Sequence, residues 1–310
     1  MNNSTALNGN LTESSLNIDR NLENAKLACL IFLLLSFVLF LHLVVAILHV
    51  FFTAHHIRES ARYILFSNML FTDTLHLMMG LFLLVTMMYL IYFPVPWCII
   101  VQILSTSTFR VTPYNLAAMA LERYIAICHP LRHEELCTAQ RAHGVIAVIW
   151  VIGLIPSAAD LIVMTTSVNK SFFLLKILCT RAWLFVNPVQ TQIRSLSLII
   201  SFTLVGLTII YTYTRVMLVA KRIASGDSSA MKACKTILLH GAQLILCMTA
   251  FISVLTDQYV SFPFIHVVTF ILFLCVPRFI SPLIYGLRDE AFQKYIRKLY
   301  FLKHSEIAAL

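Results

Sequence analysis

An all-α membrane protein is the fold class this sequence predicts: a seven-transmembrane helix bundle, N-terminus outside, with a short amphipathic C-terminal helix. Three observations predict it. The chain of 310 residues is 59% hydrophobic and 12% charged, with a mean hydropathy of +0.85, which no soluble domain needs. Its apolar residues gather in runs long enough to cross a bilayer, about 20 residues each. Backbone inside lipid must satisfy its own hydrogen bonds, and a helix does so. The bases fall in the short loops between the runs. Of 23 Lys and Arg, 15 lie on the side that holds Arg123 and the C-terminus, six lie on the other, and Arg110 and Arg278 are within spans. That excess puts the C-terminus inside, and seven spans then put the N-terminus outside.

Residues 1–26 read as a polar extracellular tail without the basic start and apolar core of a cleavable signal peptide. Sequons at Asn2, Asn3 and Asn10 predict glycosylation there. Residues 27–287 form the membrane domain. Its first span covers about Leu27 to Phe52, followed by a basic inner loop with Arg58 and Arg62. The second, about Tyr63 to Leu90, carries Asp73 near mid-depth. Tyr92 to Trp97 is an outer loop with interfacial aromatics. The third span, about Cys98 to Cys128, contains Arg110, and the fourth, about Ala142 to Thr165, contains Asp160. A longer outer segment, Thr166 to Arg194, holds Cys179 and a further sequon at Asn169. The fifth, sixth and seventh spans cover about Ser195 to Ala220, Ala233 to Leu255 and Phe264 to Leu287. Residues 288–310 form the cytoplasmic end, where Phe292, Tyr295, Ile296, Leu299 and Tyr300 recur at helical spacing. That pattern suits a helix lying on the inner leaflet.

The net charge of +9 is therefore a sign of topology, with no nucleic-acid partner implied. Most of the eight cysteines sit in apolar runs, where a thiol is a small hydrophobe. The sequence holds no Gly-rich phosphate loop, HExxH, Cys-x-x-Cys or G-x-S-x-G. No enzyme, cofactor or metal site is expected.

The chemistry concentrates in Met119 to Arg132, MALERYIAICHPLR. Glu122 and Arg123 end an otherwise apolar run, where an Arg costs about 2.5–3.5 kcal/mol on insertion scales. Such a pair reads as functional, unless Arg123 merely snorkels to the inner interface. The stretch resembles the MA-x-[DE]-RY-x-AIC-x-PLR signature at the inner end of the third helix of vertebrate odorant receptors. Those are seven-helix, rhodopsin-like, G-protein-coupled receptors.

Four further stretches share the resemblance. Cys98 and Cys179 stand at the outer end of the third span and in the second outer loop. An oxidising outer face permits a bridge there, similar to the one that pins this loop in rhodopsin-like receptors. Thr212-Tyr213 resembles the fifth-helix pair whose tyrosine meets the position of Arg123 in the active state. Lys232 to Thr236, with His240, resembles the KA-x-x-T-x-x-x-H entry to the sixth helix. Pro277 to Tyr285 resembles P-x-x-NP-x-x-Y, in which Pro282 would supply a hinge and Tyr285 the closing aromatic.

The departures suggest a divergent, fish-type member. Glu122 stands where Asp is usual, the outer loop has one cysteine, Ser281 replaces Asn, and the first span has no central Asn. In other rhodopsin-like receptors those amides join the acid at Asp73 in a polar cluster that can hold sodium. Here Arg278 sits at a depth that could face Asp73, and the expectation is a buried ion pair in place of that site. Water or a backbone carbonyl is the other partner open to Arg278. Arg110 has two readings as well: a cation in the ligand pocket, or a structural partner of Asp160 or of neighbouring hydroxyls.

The resemblance implies an odorant receptor in the plasma membrane, in olfactory neuron cilia. Its partners would be a small-molecule odorant, the lipid bilayer and a heterotrimeric G protein of the stimulatory, cAMP-raising kind. Activation would be a population shift, not catalysis, centred on Glu122, Arg123 and Tyr124. The pocket candidates, chosen by depth and resemblance, are Ser105, Thr106, Phe109, Arg110, Ser197, Ser201, Phe251 and Leu255. A non-olfactory rhodopsin-like receptor remains open, and so does a transporter or channel lined by Arg110, Asp160, Asp73 and Arg278.

Overall fold

A computed structural model describes residues 2–184, 186–223, 245, 268, 270–276 and 278–280. It divides into two compact units, Met1–His42 and Leu43–Leu310. The first unit belongs to one continuous helix, α1 (Asn2–Thr53). The polar residues ahead of the first span thus extend that span as helix. No proline interrupts the stretch, so nothing in the backbone obliges it to stop.

The second unit holds the end of α1 and the rest of the bundle. A short α2 (His55–Arg58) leads to α3 (Ala61–Met88). Next come β1 (Tyr92–Pro94), α4 (Val95–Cys128), α5 (Pro130–Leu136) and α6 (Ala139–Ser167). The second outer loop contains a 3-10 turn (Lys170–Leu174), β2 (Lys176–Leu178) and α7 (Arg181–Leu184). The long α8 (Pro188–Ile223) follows, and a π-helical turn (Phe270–Cys275) lies in the seventh span. Apart from Ile245, the expected sixth span lies outside the described residues, and so does the expected C-terminal helix.

Local chemistry sets the helix ends. Thr138 caps α6 by accepting from the Arg141 amide at 3.3 Å. Pro96 and Pro130 sit in the first turns of α4 and α5, where a missing N–H costs nothing. At the end of α3, Leu90 adopts φ 50°, and the Ile91 amide bonds back to the Thr86 carbonyl at 2.9 Å. This is a Schellman closure made without the usual glycine.

Among the described residues, four helical stretches are long and apolar enough to cross a membrane: Glu23–Thr53, Ala61–Met88, Ala139–Ser167 and Pro188–Val219. The 34-residue α4 is long enough but more polar. It packs against α3, α6 and α8, and that central position hides its polar groups. Gln102, Ser107, Thr108, Arg110, Thr112 and Asn115 are all buried.

Each neighbour of α4 answers that polarity. Asn115 donates to the Leu65 carbonyl at 2.8 Å and accepts from Asn68 at 3.3 Å. Trp150 on α6 donates to the same Asn68 at 3.3 Å, so one chain of amides ties α3, α4 and α6. Ser157 on α6 meets Thr106 and Ser107 at 3.1 and 3.2 Å. Gly153 of α6 lies close against α4. A Cβ there would sit 2.8 Å from Cγ2 of Val111.

Candidate functional site

The outer end is built first from backbone. β1 and β2 pair antiparallel, with Phe93 opposite Ile177. A disulfide joins Cys98 at the head of α4 to Cys179, with Cα atoms 5.4 Å apart. Both cysteines pack with Val95, Met164, Ile177 and Leu184 in one apolar cluster. The second outer loop is thereby fixed to α4. Asn169 is exposed on this loop, at the start of the 3-10 turn, while Asn2, Asn3 and Asn10 lie in the first turns of α1.

Beneath the loop lies a cavity of about 70 Å³ between α4, α6 and α8. That is room for several waters or a small ligand. Its polar wall is Gln102, Thr106 and Arg110 from α4, Ser157 and Asp160 from α6, and Gln190 and Arg194 from α8. Arg194 is there because α8 begins at Pro188, about two turns before the expected Ser195. Gln190 makes that early start possible, since its Oε1 accepts from the amides of Val186 and Asn187 at 3.0 and 3.2 Å. Its Nε2 donates to the Asp160 carbonyl at 3.2 Å.

Arg110 Nη2 donates to Ser197 Oγ at 3.1 Å, and Ser197 in turn donates to the Arg194 carbonyl at 2.9 Å. The Asp160 carboxylate stands in the field of both Arg110 and Arg194. Arg110 thus meets a hydroxyl of a neighbouring helix and also borders the cavity.

Of the sequence-predicted pocket residues, Thr106 and Arg110 line this cavity. Ser105 and Phe109 do not. The Ser105 carbonyl meets Nδ1 of His76 on α3 at 3.1 Å, and the Phe109 ring lies 5.8 Å from the His76 ring. Ser201 accepts from Tyr114 at 2.6 Å and, like Ser197, stays outside the lining. Phe251 and Leu255 lie outside the described residues.

At mid-depth, Arg278 Nε lies 3.3 Å from Asp73 Oδ1, and Thr112 donates to that oxygen at 3.0 Å. At the inner end, Glu122 is buried, and its Oε1 meets His133 Nε2 of α5 at 3.0 Å. The Tyr124 hydroxyl meets His129 Nε2 at 3.2 Å, and its ring packs 5.8 Å from that of Tyr211. Tyr213 on α8 is an electrostatic neighbour of Arg123. Between α5 and α6, burial pushes the Cys137 thiol up, the Glu122 charge adds to this, and Arg141 opposes it. Lys232, His240, Pro282 and Tyr285 lie outside the described residues. The contacts that sequence reasoning missed are Gln102, Arg194 and the Glu122–His133 pair, because polar residues at helical spacing do not announce which neighbour they face.

Residues 43–285 match the family described as 7 transmembrane receptor (rhodopsin family). Odorant receptor 131-2 of Danio rerio is 30% identical over 250 residues, 78% of this chain and 77% of that one. Olfactory receptor 52A5 of Homo sapiens is 28% identical over 206 residues, 61% of this chain and 62% of that one. A shorter stretch of 63 residues, 19% of this chain and 18% of that one, is 46% identical to Adenosine receptor A2b of Homo sapiens. The matched span and the apolar helices make this a multi-pass membrane protein, and the family is one of signalling receptors, not enzymes. The chain belongs to the rhodopsin family of seven-transmembrane receptors and, within it, to the odorant receptors.

Proposed function

We propose that the protein binds a small-molecule odorant in the outer half of its bundle and activates a stimulatory heterotrimeric G protein, raising cAMP. The site of action would be the plasma membrane of olfactory cilia. The observation that carries this reading is the span of α4. Its outer third borders a cavity under a disulfide-fixed loop, and its inner end carries Glu122, Arg123 and Tyr124. A ligand in the cavity touches α4, α6 and α8 at once. It can therefore favour one packing of these helices over another, which is all that a population shift requires. The inner end then offers the G protein its docking face, with Arg123 moving toward Tyr213. Lys232, His240, Pro282 and Tyr285 would serve the same transition, by resemblance to the family.

The test is cAMP in cells expressing the receptor across a panel of amino acids, carboxylates, amines and bile-salt-like odorants. A response expected in the parent and lost in Arg123→Ala, at equal surface level, supports the reading. Silence across the panel with good surface expression counts against olfaction. The stretch similar to Adenosine receptor A2b would then favour a non-olfactory ligand.

A further inference from the structure

At the inner end of the bundle, one face of α8 adjoins one face of α4. On α8, Leu207, Tyr211, Arg215 and Leu218 recur every three or four residues, which puts them on one face. Leu207, Tyr211 and Leu218 are each more than half exposed, and Arg215 is exposed with them. On α4, Leu121, Tyr124 and Cys128 recur in the same way, and Leu121 is exposed. The rings of Tyr124 and Tyr211 lie 5.8 Å apart, which joins the two faces. Arg215 is an electrostatic neighbour of both Tyr124 and the Cys128 thiol. The Tyr124 hydroxyl meets Nε2 of the exposed His129 at 3.2 Å. Glu122, the acid at this end of α4, is turned to His133 on α5.

The order of these side chains along the membrane gives the surface its chemistry. Both helices run from the outer to the inner side, so Leu207 and Leu121 lie deeper in the bilayer than Arg215 and His129. Arg215 follows Leu207 by eight residues, about 12 Å along the axis. An exposed apolar stripe thus ends in a guanidinium with phenols and an imidazole around it. It does so on the cytoplasmic side, where the leaflet carries acidic lipids. A water-soluble anion would match the cation and leave the stripe uncovered. A zwitterionic lipid would cover the stripe but bring a second cation with its phosphate. We propose that the inner ends of α4 and α8 bind one acidic glycerophospholipid of the cytoplasmic leaflet, its phosphate on Arg215 and the Tyr211 hydroxyl and an acyl chain along Leu207 and Leu121. Arg suits that role because its planar fork meets a phosphate through two parallel hydrogen bonds. The inference goes beyond the receptor reading and needs no odorant. A headgroup there bridges α4 and α8 beside Arg123, so an acidic lipid favours one packing of these helices over another.

The experiment titrates the purified full-length receptor in detergent with phosphatidylserine or with phosphatidylcholine of the same acyl chains. Native mass spectrometry counts the lipid retained. Phosphatidylserine is expected to half-fill one site at a concentration about fivefold or more below phosphatidylcholine. Arg215→Gln is expected to abolish that preference, Arg215→Lys to keep much of it, and Tyr211→Phe to weaken it by a smaller factor. Arg58→Gln removes another exposed inner base, on α2, and is expected to leave the preference unchanged. Equal retention of the two lipids overturns the proposal. So does an effect of Arg58→Gln as large as that of Arg215→Gln, the result expected if the whole basic face attracts acidic lipid without a site. Displacement of phosphatidylserine by an equal concentration of glycerol phosphate would show that the headgroup alone is bound, and would overturn the lipid assignment. Melting temperatures in detergent without added lipid check that each variant folds. Should Arg215→Gln not fold, Tyr211→Phe and Arg58→Gln still decide, since a site loses more from the first and a diffuse field more from the second.

Discussion

Arg278 Nε stands 3.3 Å from Asp73 Oδ1, and the two side chains are 6% and 1% exposed. With Thr112 donating to the same oxygen, α3, α4 and the seventh span meet on one carboxylate. Removing one member of a buried pair costs about 3–5 kcal/mol, because the other charge stays buried alone. Asp73→Asn and Arg278→Gln are each expected to lower the melting temperature and surface expression. The double variant, which strands no lone charge, is expected to recover part of the loss. A double variant no better than the worse single would show that the pair is not the cause.

The contact between Glu122 and His133 ties α5 to the buried inner end of α4. Glu122→Gln weakens it from a contact with a carboxylate to one with a neutral amide. A contact between a buried carboxylate and a partly exposed imidazole contributes about 1 kcal/mol. Basal cAMP is therefore expected to rise several-fold in Glu122→Gln and in His133→Ala, at matched surface level. Unchanged basal signalling in both would show that this contact does not hold the resting state.

Two glycines of α6 are expected to respond in opposite directions to alanine. At Gly153 the new Cβ would lie 2.8 Å from Cγ2 of Val111, and a β-branched side chain cannot rotate away freely. Overpacking of this kind costs about 1–3 kcal/mol, more than the helix propensity gained. At Gly144 nothing lies within 4 Å, so the propensity gain of up to about 1 kcal/mol stands alone. Melting temperatures of the two variants check both signs.

Cys137 lies outside the spans, and its thiol is pushed up first by burial and then by the Glu122 charge. A raised thiol holds less thiolate at neutral pH, and the thiolate is the nucleophile. Alkylation at Cys137, followed residue by residue by mass spectrometry, is expected to be slow at neutral pH and to quicken as pH rises. Glu122→Gln removes one of the two causes, so the rate at neutral pH should increase. A slower rate in that variant would contradict the assigned cause.

Much of this architecture was legible because the bilayer is a demanding solvent. Long apolar runs and loop charges reveal spans whatever their packing, and α3 and α6 begin and end within a few residues of expectation. Cys98 and Cys179 were legible for a similar reason, as cysteines on the oxidising side. Misplaced boundaries fall where polar groups serve the interior. Gln190 and Arg194 read as loop, yet one caps α8 and the other faces a cavity. Charges inside apolar runs, such as Arg110 and Asp160, stood out by their insertion cost. Their partners did not, since a serine such as Ser197 looks the same whether it packs, caps or accepts from a guanidinium. Gly153 carried no visible signal, because a close crossing needs two helices and one sequence shows only one at a time.

The polarity of α4 also bears on how the chain is made. A helix carrying Arg110 amid buried Gln, Ser, Thr and Asn side chains partitions poorly into lipid by itself. It gains the Asn68 amide from a span synthesised before it, but the Ser197 and Ser201 hydroxyls arrive only with α8. The third span is therefore expected to settle fully in the bilayer only after its later neighbours emerge. Yield at the cell surface should therefore depend on the pace and temperature of synthesis as much as on the stability of the finished bundle.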